Sequence, residues 1–120
     1  LDKDRDDLTR LLTNEQIKAA YESGDYVTAR KKFEKLLEDQ EEEGKKIFGL
    51  MDNYLAMAAE TDQNKAAAKF LKSYVGGLRR IYDDTPDNER LFLGILAKAY
   101  EQAGDERNLE RIRKKLEKLD

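Results

Sequence analysis

The amino-acid sequence predicts an all-α fold of antiparallel helical hairpins, about three of them, built from six to seven helices. Ala, Glu, Lys, Leu and Arg make up more than half of the 120 residues, and their side chains lose little freedom in a helix. Val and Ile, which favour strands, are few. Apolar residues recur three and four apart, and the breaks between these runs hold Gly, Asp, Asn or the single Pro. A chain of this length is expected to form one domain over 1-120, burying roughly two-thirds of the surface it exposes when unfolded.

Residues 1-12 begin Leu1-Asp2-Lys3-Asp4-Arg5-Asp6-Asp7, too polar to bury, before Leu8, Leu11 and Leu12 supply an apolar stripe. They read as a polar N-terminal segment running into a short helix. Thr13 and Gln16 stand in capping-box register, so a helix is expected from there to about Ser23, burying Ile17, Ala20 and Tyr21. Gly24 can close it in the left-handed conformation. Asp25 can cap the next helix, which gathers Ala29, Phe33, Leu36 and Leu37 on one side and should end near Glu43-Gly44. This is a first hairpin over approximately 13-43.

A second is expected over 45-83. Its first helix, Lys45 to Glu60, holds Ile47, Phe48, Leu50, Met51, Tyr54, Leu55 and Met57, more apolar surface than one stripe needs, and should be the most central. Thr61-Asp62-Gln63-Asn64 supplies turn and capping groups. Ala66, Ala67, Phe70, Leu71, Tyr74, Val75, Leu78, Ile81 and Tyr82 then continue at helical spacing to about Asp83. Gly76-Gly77 interrupts that helix, and each Gly costs up to ~1 kcal/mol relative to Ala. A kink or the close approach of another helix is expected there, ahead of a functional hinge. Asp83-Asp84-Thr85-Pro86 marks the sharpest boundary, with Thr85 as cap and Pro86 at the first helical position, where its missing N–H costs nothing. The third hairpin, 86-119, runs through Leu91, Phe92, Leu93, Ile95, Leu96, Ala97 and Tyr100, turns at Gly104-Asp105, and returns with Leu109, Ile112, Leu116 and Leu119 on one side.

The segment Ala20-Tyr21-Glu22-Ser23-Gly24-Asp25-Tyr26, followed by Ala29 and Phe33, resembles the turn and second helix of a tetratricopeptide repeat. Ala99-Tyr100-Glu101-Gln102-Ala103-Gly104-Asp105 repeats the turn, but Leu109 and Arg113 stand where the repeat has a small residue and an aromatic. Residues 45 to 83 are similar only in outline. Gly24 and Gly104 lie 80 residues apart, against about 68 for two such repeats. The resemblance implies a right-handed array whose first helices line a groove, with Ala19, Glu22, Phe48, Asp52, Leu55, Leu91, Ile95 and Lys98 near it. It further implies a non-catalytic scaffold that binds a protein or peptide, with Phe48, Asp52, Leu55, Leu91, Ile95 and Lys98 as contact residues. The competing reading of Phe48, Leu55, Leu91 and Ile95 is that their helices are sandwiched between neighbours.

Composition argues against other classes. Basic and acidic residues number 23 and 26, well mixed, with a net charge of -3, so no global field draws in nucleic acid or an anionic membrane, and neither is expected as a partner. There is no Cys and no His, which removes disulfides, thiolate metal sites and the usual neutral-pH proton carrier. No enzyme activity, cofactor or metal is expected. Asp2, Asp4 and Asp6 alternate as in a calcium loop, yet Asp7 and Thr13 occupy the positions that need Gly and Glu. The basic face Arg107, Arg111, Lys114 and Lys118, interleaved with Glu106, Glu110 and Glu117, reads as a solvated surface. Lack of Cys leans toward the cytoplasm without requiring it. The chain starts at Leu1 rather than Met, which is expected of an excised or processed piece. The ends of a short array are also where two copies could pair as a homodimer. The alternative function is an engineered helical scaffold with no native ligand, motivated by the same composition.

Overall fold

The structure is a computed structural model that describes residues 14–41 and 44–119. Among these the chain is helical, with no strand: α1 Glu15–Glu22, α2 Tyr26–Asp39, α3 Lys46–Glu60, α4 Asn64–Leu78, α5 Pro86–Ala103 and α6 Glu106–Leu119. The fold is all-α, and helices pack on their neighbours in sequence. The helices fall into two compact units that divide after Gln63. In the first, α1 packs on α2 and α2 on α3; in the second, α4 packs on α5 and α5 on α6. The helices expected to pair over 13-43 and over 86-119 thus lie within one unit each, while those of the 45-83 hairpin belong to different units. The expected short helix in 1-12, the Thr13 cap and the Asp2-Asp4-Asp6 alternation lie outside the described residues.

Helix starts follow capping chemistry. Asn14, one residue past the expected Thr13, caps α1: its Oδ1 accepts from the N–H groups of Gln16 and Ile17 at 3.0 and 3.1 Å. Asp25 and Asp105 accept from the N–H groups of Thr28 and Asn108, and Thr85 Oγ1 from that of Asn88 at 3.1 Å. The caps hold both Asp carboxyls below the ordinary carboxylate range, through their hydrogen bonds to Thr28 and Asn108.

The two Gly-Asp turns share one backbone pattern. Gly24 and Gly104 take φ of 84° and 70°. The Gly24 N–H donates to Tyr21 O and the Asp25 N–H to Ala20 O; Gly104 and Asp105 repeat this on Glu101 O and Tyr100 O, all between 2.9 and 3.1 Å. This is the Schellman closure, and each Asp then starts the next helix. The end of α3 uses the same long closure without Gly. Asp62 takes φ 56°, and the Gln63 N–H reaches Ala58 O at 2.8 Å; the short polar side chain of Asp tolerates this region.

The core is apolar, with tyrosines and no other buried polar residue among those described. Leu37, Ile47, Met51 and Leu71 are fully buried, each contributing about 1.5–3 kcal/mol by leaving water. Burial does not set residues 45–60 apart, since α3, α4 and α5 bury six residues each. In the first unit, Phe33 meets Tyr54 edge-on, 5.5 Å between centroids. Tyr54 Oη donates to Glu34 Oε2 at 2.6 Å and Arg30 Nη1 donates to the same oxygen at 2.7 Å. Arg30 Nε donates to Gln63 Oε1, whose Nε2 donates to Tyr26 O and Thr61 Oγ1. This polar strap ties α2 to the end of α3. Burial, then the hydrogen bond to Glu34, push the Tyr54 hydroxyl far above its ordinary pKa.

Two helix ends differ from the sequence expectation. α2 stops at Asp39 rather than near Glu43-Gly44; consecutive Glu side chains oppose the negative end of the helix dipole. α4 stops at Leu78, leaving Ile81 47% exposed and Tyr82 half-buried outside it. The helix runs through Gly76-Gly77, and a Cβ on either glycine would meet nothing within 4 Å, so neither serves a close approach. Their low helix propensity shows just beyond, where the Arg80 and Ile81 N–H groups bond three residues back, to Gly77 and Leu78.

Candidate functional site

The residues expected to line a groove divide between the units. Phe48, Asp52 and Leu55 share one face of α3 at i, i+4, i+7; Leu91, Ile95 and Lys98 do the same on α5. Leu55 and Ile95 are buried, at 0% and 6% exposure, packed as the sandwiched reading requires. Phe48 and Leu91 are half-buried, and Asp52 and Lys98 are exposed, as are Ala19 and Glu22 on α1.

A better-formed hollow lies within the second unit, where α4 passes the turn between α5 and α6. It encloses about 420 Å³. Its floor is small: Ala68 of α4, Ala103 at the end of α5 and Gly104 in the turn, with buried Tyr100 beneath. A Cβ built on Gly104 would meet nothing within 4 Å, so the space above the turn is open. Residues that stop at Cβ or before it leave the hollow, and the left-handed turn that needs Gly104 shapes one wall. The elements around it are tied together: Gln102 Nε2 donates to Asn64 Oδ1 at 3.2 Å, joining the start of α4 to the end of α5.

The rim is basic on one side. Lys65, Lys69 and Lys72, all exposed, follow one another along α4 at i, i+4, i+7 and line the hollow. Opposite them stand Asp105 and Asn108. Asp105 already accepts from Asn108 through both carboxyl oxygens, at 3.2 Å from the backbone N–H and 2.6 Å from Nδ2. Lys72 and Arg111 add smaller electrostatic pulls that keep it ionised. Composition and motif reasoning passed over this lysine row, although its spacing was visible; the missing signal was the floor, which only packing creates.

A second hollow, about 210 Å³, sits by the 79–85 turn. Its own residues account for it: Arg79 pairs with Glu89 and lies over the Phe92 ring at 5.3 Å, and Tyr82 meets Phe92 edge-on. These contacts hold the turn to α5. On α6, Arg107, Arg111, Lys114 and Lys118 are exposed, and Arg111 Nη2 donates to Asn108 Oδ1. Among the described residues no three Asp, Glu, His or Cys gather to hold a metal ion, and no helix is long and apolar enough to cross a membrane. Compared with known proteins, the chain matches no family model, no curated protein and no solved structure.

Proposed function

We propose that this chain is a non-catalytic module of tetratricopeptide-like helical hairpins that binds a protein or peptide partner. The observation that carries this reading is the 420 Å³ hollow of the second unit. It falls within the size range of small-ligand and side-chain pockets, and its walls are helices and a hydrogen-bonded turn, elements that hold a site rigidly. An apolar floor with polar groups at the rim suits a peptide side chain that buries its end while its backbone stays near water. Phe48 on α3 and Leu91 on α5 add half-exposed apolar side chains, each on its own unit.

Panning a random peptide display library against the whole chain tests the reading. A peptide family is expected to be enriched, to shift the amide resonances of Ala68, Ala103 and Asn108, and to be lost with Ala103→Trp, which fills the floor. Enrichment no better than on blank support would sink it, as would shifts that avoid the hollow, Phe48 and Leu91 alike.

A further inference from the structure

The charge along the hollow is only partly balanced by the protein itself, three lysines against the one carboxylate of Asp105. Among the described helices, α4 alone carries no Asp or Glu, in a chain with 26 acidic residues. Its three lysines all line the hollow. None of them forms an ion pair with a carboxylate among the described residues. Lys65 stands in the first turn of α4, where the helix dipole is positive and a cation gains nothing from it. Asp105, the carboxylate on the opposite rim, has both oxygens engaged by Asn108. Three ammonium groups therefore face an open, apolar-floored space across from one carboxylate, Asp105, which Lys72 already feels electrostatically, so the row keeps an excess of positive charge.

We propose that this hollow takes an acidic peptide segment of a partner protein, its carboxylates on Lys65, Lys69 and Lys72 and one apolar side chain on Ala68 and Ala103. The proposal rests on the peptide-binding reading above and names the class of peptide. From i to i+7 the row covers about 10 Å of helix, the length of roughly three residues of extended chain, so alternate acidic residues around one apolar residue match it. A nucleic acid would share the charge but not the fit, because no exposed aromatic ring lines the hollow to stack on a base.

The test is fluorescence anisotropy with the whole chain and a labelled, C-amidated peptide Asp-Glu-Glu-Leu-Glu-Asp-Glu, beside its Asn/Gln analogue and a single-stranded oligouridylate of equal charge. The acidic peptide is expected to bind at least ~10-fold tighter than its neutral analogue, and to weaken as salt rises from ~0.05 M to ~0.5 M. Lys69→Gln with Lys72→Gln should cost roughly fivefold, with the far-ultraviolet circular dichroism unchanged. Equal binding of the neutral analogue would overturn the acidic preference and leave peptide binding standing. Preference for the oligouridylate would overturn it in favour of nucleic acid. If neither peptide binds, the inference falls, and the display library decides whether the broader reading falls with it.

Discussion

Tyr54 is the residue on which the first unit's polar strap turns. Its ring is fully buried against Phe33 while its hydroxyl donates to Glu34, which also accepts from Arg30. Tyr54→Phe removes one hydrogen bond to a charged acceptor and should cost about 1.5–3 kcal/mol. Glu34→Ala should cost more, because it leaves a buried hydroxyl without its acceptor; urea denaturation measures both. The same bond sets a pH dependence. The Tyr54 hydroxyl holds its proton more tightly when folded than when unfolded, so its stabilisation is complete below pH ~10, the ordinary tyrosine value, and fades above it. Asp25 and Asp105 act in the opposite sense. Their folded carboxyls are the stronger acids, so their contribution is whole above the ordinary carboxylate range and is lost as pH falls through it. A melting curve against pH should fall at both ends, with the alkaline limb shallower in Tyr54→Phe and the acid limb shallower in Asp25→Asn with Asp105→Asn.

At the scale of the element, glycines of the same composition do opposite things. Gly104 sits at φ 70° and closes α5, so Gly104→Ala should destabilise by about 1–2 kcal/mol, the cost of an L-residue in that region. Gly76 lies inside α4, with open space where a Cβ would go. Gly76→Ala should stabilise by about 0.5–1 kcal/mol; thermal melts of the two variants should move in opposite directions. The turns at Gly24-Asp25 and Gly104-Asp105 and the Thr85-Pro86 start were legible because one residue type answers one backbone demand. The end of α3 was less so, since Asp62 meets the left-handed demand without announcing it. Ile81 was misread as core because helical spacing continues past the point where Gly76-Gly77 lets the helix end.

For the whole molecule, charges of both signs are spread along nearly every described helix, and the pairs Arg79–Glu89 and Arg90–Asp87 lie at least partly exposed to solvent. Exposed pairs contribute little and are screened by salt. Raising salt from ~0.05 M to ~0.5 M should therefore change the stability read from urea midpoints by less than about 1 kcal/mol. The sequence made the helical class plain because periodicity reports which face of a helix is apolar. It does not report what covers that face, which is why Leu55 and Ile95, placed on a groove by resemblance, are buried while Phe48 and Leu91 keep some exposure. The lysine hollow was hidden for the same reason. The Schellman closures have one more consequence. Each takes in only six residues, and within a unit each helix packs on the next one along the chain. Native contacts of this kind form without closing long loops, which places folding in the microsecond-to-millisecond class. During synthesis the contacts of α1 with α2 and of α2 with α3 join segments that have all been made by the time Gln63 is added.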